Sequence, residues 1–269
     1  MRPNIWDANR CSIHTRKGGL LVGKGAFCHG YDIPNTLMGH ATYFQVLILN
    51  ATGRLVERRL ADWLEAAFIG VSYPDPRIWC NQIGAIGGTL RTSPVAAVAG
   101  GILASDSRMY GPGTSVEAME FIQDAFLKKK SGLTPEEIVA AALKRHGGKP
   151  YFTGYARPAF KGDERLPAME RVTEALGFQN GGHLTLAKEI EKILLEFYDE
   201  GLNLTGYMAA FLSDQDFTPQ ETYRICAVIV ASGVLACYVD SSERPSGTFL
   251  PFRCDDINYI GPSLRRLTK

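Results

Sequence analysis

The sequence has no Cys-x-x-Cys pair, no run of 18 apolar residues, no internal repeat and no grouped histidines. Each absence excludes something. Its six cysteines (Cys11, Cys28, Cys80, Cys226, Cys237, Cys254) are scattered, which suits neither a disulfide framework nor a zinc site. Cys226 and Cys237 stand inside apolar runs and read as buried thiols. His14, His29, His40, His146 and His183 are dispersed, so no metal is expected. The opening Met1-Arg2-Pro3-Asn4 starts no apolar signal region, and nothing reads as a membrane span, so the expected location is a reducing cytoplasm. A formal net charge of +1 gives no field for nucleic acid or an anionic membrane. Gly23-Lys24-Gly25 lacks the glycine spacing and the Ser/Thr partner of a Walker loop. Ser93 and Ser105 have no nucleophile-elbow context.

What remains is an ordinary globular chain of 269 residues, 45% hydrophobic and 21% charged, long enough for one large domain or two modest ones. Residues 11–30 alternate and are glycine-rich, which predicts a short β-ribbon through Ser12-Ile13-His14-Thr15 and Gly19-Leu20-Leu21-Val22. The pattern then becomes helical. Over 54–70, Leu55, Leu60, Trp63, Leu64, Ala67 and Phe68 fall on one stripe. Residues 78–104 are small and apolar, densest from Ser93 to Leu103, and read as a core or dimer-interface helix. Three capping boxes mark helix starts: Thr114 with Glu117, Thr134 with Glu137, and Thr218 with Glu221. They predict helices over about 115–129, from Pro135 to a stop at Gly147-Gly148, and from about Pro219 through Tyr238. Another amphipathic helix is expected over 184–200. The expected architecture is mainly α, a large body with a smaller helical lobe near 115–210.

The chemistry-bearing stretch is Gly154-Tyr155-Ala156-Arg157-Pro158 followed by Gly162-Asp163-Glu164-Arg165. Asp163 reads in two ways: as a general base at an acidic C–H, flanked by Arg157 and Arg165, or as a solvated loop acid paired with Lys161 or Arg165. The two arginines suit a bidentate clamp on a carboxylate or phosphate, or surface ion pairs. Gly111-Pro112-Gly113-Thr114-Ser115 leads straight into a helix, so free backbone N–H groups would converge on one spot, able to meet an anion or a carbonyl oxygen. Thr114 itself reads equally as a plain N-cap.

Taken in order, these segments resemble the citrate synthase superfamily, and within it the citryl-CoA lyase domain such as the one ending ATP-citrate lyase. Gly154 to Arg157 stands where the family carries Gly-x-Gly-His-Arg, and Asp163 to Arg165 where it carries Asp-Pro-Arg. His29-Gly30-Tyr31-Asp32-Ile33 resembles Arg-Gly-Tyr-Asp-Ile. Val95 to Ile102, then Gly111-Pro112, resemble the small-residue helix leading to Gly-Pro-Leu-His-Gly, and Asp255 to Ile260 resembles Asp-Asp-Ile-Ser-Tyr-Val. The resemblance implies a homodimer acting on an acyl-CoA and a carboxylate-bearing small molecule. CoA enters as part of the substrate, no cofactor is needed, and Asp163 is the base at the acyl α-carbon.

The sequence also departs from the family. Asp75 stands where the first catalytic His belongs, Thr114 replaces the second and Arg157 the third. Val230 takes the place of a carboxylate-binding Arg. A carboxylate does the first histidine's work only when protonated, which needs strong desolvation. Otherwise Asp75 is a turn acid before Pro76-Arg77, and Tyr73 is a neighbouring hydroxyl donor. The expected site is therefore Asp163, Asp75 and Thr114 for catalysis, with Arg157, Arg165, Gly111, Gly113 and Gly154 for substrate. The leading function is making or breaking a C–C bond next to a carbonyl in a CoA thioester. Two alternatives are a non-catalytic dimeric binding subunit and altered chemistry such as thioester hydrolysis.

Overall fold

The computed structural model describes residues 4–11, 13–107, 110–145, 152–155 and 162–267. A short helix α1 (Ile5–Ala8) precedes an antiparallel sheet of β1 (Gly18–Leu21), β2 (Gly25–Cys28) and β3 (Tyr31–Asp32), ordered β1-β2-β3 with Gly19 opposite Phe27 and Phe27 opposite Asp32. The ribbon is thus shifted towards the glycines, and Ile13-His14-Thr15 forms no strand. Asp32 accepts the Asn35 amide at 2.9 Å and turns the chain into one π-helical stretch, Ile33–Leu37.

Every later element among the described residues is helical: α2 (Tyr43–Thr52), α3 (Arg58–Val71), α4 (Trp79–Thr89), α5 (Pro94–Ser105), α6 (Pro112–Lys130), α7 (Pro135–Arg145), α8 (Leu166–Ala175), α9 (Gly182–Tyr198), α10 (Leu204–Asp214), α11 (Pro219–Cys226) and α12 (Ala231–Ser242), with a 3-10 turn at Cys254–Asp256. The boxes at Thr134 and Thr218 form as read. The box at Thr114 does not. Pro112, with φ already fixed, starts α6 two residues earlier, so Thr114 sits within its first turn and donates its hydroxyl to Gly111 O at 2.7 Å. Glu117 instead accepts from the Thr153 hydroxyl at 3.0 Å. The Gly147-Gly148 stop and His146 lie outside the described residues.

The expected single helix from Pro219 is also divided. Residues 227–230 form turns, and α12 begins afresh at Ala231. By length and composition alone Pro219–Ser242 is apolar enough to cross a membrane, but it is two helices.

The chain divides into two compact units, Met1–Tyr73 with Ser105–Val230, and Pro74–Ala104 with Ala231–Lys269; residues 115–210 fall wholly in the first. In the first unit α6 packs against α9, α10 and α11, and α9 against α7 and α10. The stripe read on α3 is its core: Trp63 is fully buried, stacked on Phe211 of α10 with centroids 3.8 Å apart, and its Nε1 donates to the buried Thr173 hydroxyl at 2.8 Å. Cys28, Leu37 and Leu49 make a small separate core beneath the ribbon. The second unit is built on the contact of α4 with α12. The helices meet through glycine: a Cβ added at Gly84 would lie 2.4 Å from Val234 O, and one at Gly88 2.3 Å from Tyr238 O. Dispersion over a backbone-to-backbone approach replaces side-chain interdigitation there.

Candidate functional site

Asp163 opens the turn before α8, and both of its carboxylate oxygens accept hydrogen bonds. Oδ1 accepts from the Arg165 amide (3.1 Å) and Nε (2.7 Å). Oδ2 accepts from Arg165 Nη2 (2.5 Å) and from the Leu204 amide at the start of α10 (2.9 Å). The Asp163 side chain has no exposed surface, and that of Arg165 is 20% exposed. The third guanidinium nitrogen, Arg165 Nη1, reaches Gly70 O in the last turn of α3 at 3.1 Å. The pair is therefore aligned with two helices, its carboxylate at the positive end of α10 and its guanidinium at the negative end of α3. Burial pushes the Asp163 carboxyl up, but the Arg165 hydrogen bonds and charge, with the Leu204 amide, outweigh it and hold it below the usual carboxylate range.

The neighbouring loops are pinned in the same way. The Leu202 amide donates to Glu191 Oε1 at 3.0 Å, and the Asn203 amide to Gly154 O at 2.9 Å. Three consecutive amides, 202 to 204, are thus satisfied by Glu191, Gly154 and Asp163. Gly154 (φ +99°) crosses Gly206 so closely that a Cβ at Gly206 would lie 2.2 Å from Gly154 O. The geometry gives Gly154 a backbone-crossing role. Tyr155 beside it is fully buried and donates to Ala187 O at 3.1 Å. Arg157 lies outside the described residues.

The Arg165 guanidinium is within electrostatic range of the Tyr73 and Tyr110 phenols. Tyr110 precedes the turn into α6. Gly111 has φ +85°, and a Cβ there would sit 1.9 Å from Ser105 O, so only glycine makes this turn. As the N-cap of α6 it offers no side-chain hydrogen bond, which leaves the amino end of a 19-residue helix uncapped by a side chain. Gly113 lies beside Asp106: a Cβ there would be 3.1 Å from Oδ1. Asp106 Oδ2 accepts the Tyr223 hydroxyl at 2.6 Å. A carboxylate of the chain itself therefore stands next to that helix end. It disfavours a full anion there more than a polarised carbonyl oxygen.

Asp75 belongs to the second unit. Arg77 binds it as a fork, Nε to Oδ1 at 3.0 Å and Nη2 to Oδ2 at 2.6 Å, and the Arg77 amide adds a bond at 2.9 Å. These bonds hold its carboxyl below the usual range. The environment keeps Asp75 ionised, not protonated. Among the described residues, no group of three or more His, Cys, Asp or Glu side chains is placed to hold a metal.

The first unit thus brings Asp163, Arg165 and Gly154 together, with the α6 turn of Gly111, Gly113 and Thr114 reached through Tyr110. Sequence reasoning did not find the Leu204 amide or the Gly70 carbonyl as partners. The one readable signal was Asn203, an N-cap residue type just before α10, whose Oδ1 does accept the Gly206 amide at 3.0 Å.

No protein-family model matches the chain, and no curated sequence matches it. Solved structures do. The citryl-CoA lyase of Hydrogenobacter thermophilus superposes with a TM-score of 0.80 at 22% identity, over 95% of this chain and 97% of that one. The ATP citrate lyase of Methanothrix soehngenii, solved with citrate and coenzyme A, gives 0.76 at 17% identity, over 93% of this chain but 42% of that one. The citrate synthase of Thermoplasma acidophilum, in a ternary complex with carboxymethyl coenzyme A and oxaloacetate, gives 0.64 at 14% identity, over 85% and 59%. The lyase is matched along nearly its whole length and the two larger enzymes along about half. The chain has the citrate synthase-like fold, which it shares end to end with citryl-CoA lyase.

Proposed function

We propose that the chain is a CoA-thioester enzyme that forms or cleaves a C–C bond next to a carbonyl, as a homodimer in the cytoplasm. CoA enters as part of the substrate and no resident cofactor takes part. The observation that carries this reading is the Asp163–Arg165 pair at the amino end of α10. It is supported by a fold shared with proteins whose structures hold citrate, coenzyme A or a CoA analogue. Asp163 takes the proton from the acyl α-carbon. Backbone N–H groups at the start of α6, in the polar turn that includes Thr114, polarise the thioester carbonyl oxygen as charge develops on it, in place of an imidazole. A substrate carboxylate engages Arg165, and Arg157 is a second candidate for it. Asp75, being ionised, is not assigned a proton to give. In the C–C cleaving direction the same proton returns from Asp163 to carbon.

The test is deuterium exchange into the acyl α-carbon of acetyl-CoA, read by proton NMR. Asp163→Asn is expected to slow exchange by at least about 100-fold while CoA-thioester binding persists. Unchanged exchange in the variant eliminates Asp163 as the base. One observation favours a second reading. The hydrogen bonds to both carboxylate oxygens of a fully buried Asp163 suit a strut as well as a base, as a non-catalytic dimeric binding subunit would require. Bound CoA with no exchange in either protein supports that reading.

A further inference from the structure

The chain that leaves α9 and enters α10 has no step of the proposed chemistry assigned to it, yet it delivers the Leu204 amide to Asp163. Leu202 and Leu204 are 1% and 2% exposed. Their amides are out of water and need acceptors inside the protein. Neither acceptor is a neighbour in the turn. The Leu204 amide donates to Asp163 Oδ2 at 2.9 Å, and the Leu202 amide to Glu191 Oε1 at 3.0 Å, back on α9. The same helix anchors the other segment that meets here: Ala187 O, one turn before Glu191, accepts the Tyr155 hydroxyl at 3.1 Å. The Asn203 amide stitches the two segments together at Gly154 O, 2.9 Å away. The turn also has no slack on the Asp163 side. A Cβ at Gly201 would lie 3.2 Å from the Cα of Gly162, which directly precedes Asp163.

A carboxylate on α9 therefore fixes the turn, and the turn both runs against the backbone carrying Asp163 and donates to its Oδ2. Only two planar peptide units separate the Leu202 amide from the Leu204 amide, so a displacement at the first is transmitted to the second. We infer that Glu191 is a positioning residue for proton transfer at Asp163: by holding the turn of residues 202–204 it sets the direction in which the carboxylate faces the acyl α-carbon. This role rests on the reading of Asp163 as the base. Glu191 touches no reacting atom and acts through the Leu202 amide, the turn and the Leu204 amide. Loss of its acceptor oxygen releases the turn and with it one of the bonds that orient Oδ2.

The experiment compares three variants of the full chain. Glu191→Ala removes the acceptor, Glu191→Asp keeps the charge but withdraws it by one methylene, and Glu191→Gln keeps an acceptor oxygen at the original reach without the charge. One readout is deuterium exchange into acetyl-CoA over a range of thioester concentrations. The other is the NMR resonance of the Asp163 carboxyl carbon at neutral pH, identified as the signal missing from Asp163→Asn. Glu191→Ala is expected to slow exchange at saturation by at least about tenfold, to leave the half-saturating acetyl-CoA concentration unchanged, and to displace the Asp163 resonance. Glu191→Asp is expected to behave like Ala, and it serves as the test should the melting curve show Ala unfolded. Glu191→Gln is expected to recover most of the rate and to return the resonance. An Asp163 resonance that stays put in both Ala and Asp, a Gln variant no better than Ala, or full exchange in Glu191→Ala where exchange depends on Asp163, would each overturn the inference. A resonance that moves while Asp163→Asn exchanges like wild type leaves Glu191 in control of the carboxylate and sinks the base reading instead.

Discussion

At the scale of single residues, Asp163 and Arg165 do structural work whatever their chemistry. Asp163→Asn removes the charge opposite a largely buried guanidinium and weakens the bond to the α10 amino end. It is expected to lower unfolding free energy by about 3 kcal/mol, the low end for a broken buried pair because Arg165 retains some exposure. Denaturant titration measures this. The pH dependence has a definite sign. The folded pKa of Asp163 is lowered, so its contribution is complete above the ordinary carboxylate value of 3.8 and is lost as pH falls below that through the folded value. The gap between wild type and Asp163→Asn is therefore expected to be constant from pH 5 to 7 and to close below about pH 4. A gap that closes between pH 5 and 7 would contradict the assignment. Asp214 makes a similar case: it caps α9 by accepting from the His183 (2.8 Å) and Leu184 (3.0 Å) amides, and Asp214→Ala is expected to cost about 1–2 kcal/mol. The two acids differ in legibility. Asp163 was legible as a residue of interest, but its choice between solvated acid and base was not, because burial is decided by Leu204 and Gly70, far away in sequence. Asp214 was not legible at all, because its helix lies 30 residues upstream of it.

At the scale of elements, local signals held where the whole device was local. The boxes at Thr134 and Thr218 need only four adjacent residues and formed. The box at Thr114 lost to Pro112, a competing start signal two residues earlier. The break at 227–230 carried no signal, since Ala227-Val228-Ile229-Val230 holds no glycine, proline or polar residue. Nothing local marked Arg91 either. It adopts φ +58°, and its guanidinium reaches Gly88 O and Ser241 O (3.3 and 3.4 Å) and also Ser242 O and Arg244 O, so one cation serves the carboxyl ends of both α4 and α12. Arg91→Ala is expected to lower the unfolding free energy through the second unit, by about 2 kcal/mol. Hydrogen exchange should show the loss concentrated in α4 and α12. Gly88→Ala is expected to cost a similar amount, about 1–3 kcal/mol from overpacking against Tyr238 O. A neutral Gly88→Ala would mean that the two helices can part without penalty.

At the scale of the whole molecule, the proposed homodimer rests on apolar surface that the single chain leaves uncovered. Val95 and Leu103 on α5 are 77% and 78% exposed, and Phe252, Ile260 and Leu264 beyond α12 are also exposed. A partner covering these makes an interface above about 2,000 Å². Sedimentation is expected to find a dimer at nanomolar concentration, and a stable folded monomer there would refute it. The fold was legible because many short segments kept their order along the chain, each weak alone. The two units were not, because compactness depends on which distant helices meet, and composition does not change at Tyr73 or Val230. That discontinuity has a consequence for biosynthesis. The glycine face of α4 has its partner in α12, about 140 residues later in the chain, so during synthesis it waits roughly 7–30 s at ordinary elongation rates. Until Ala231 and its successors emerge, the second unit is half a structure with its seam open, and any factor that shields nascent apolar helices has that interval in which to act.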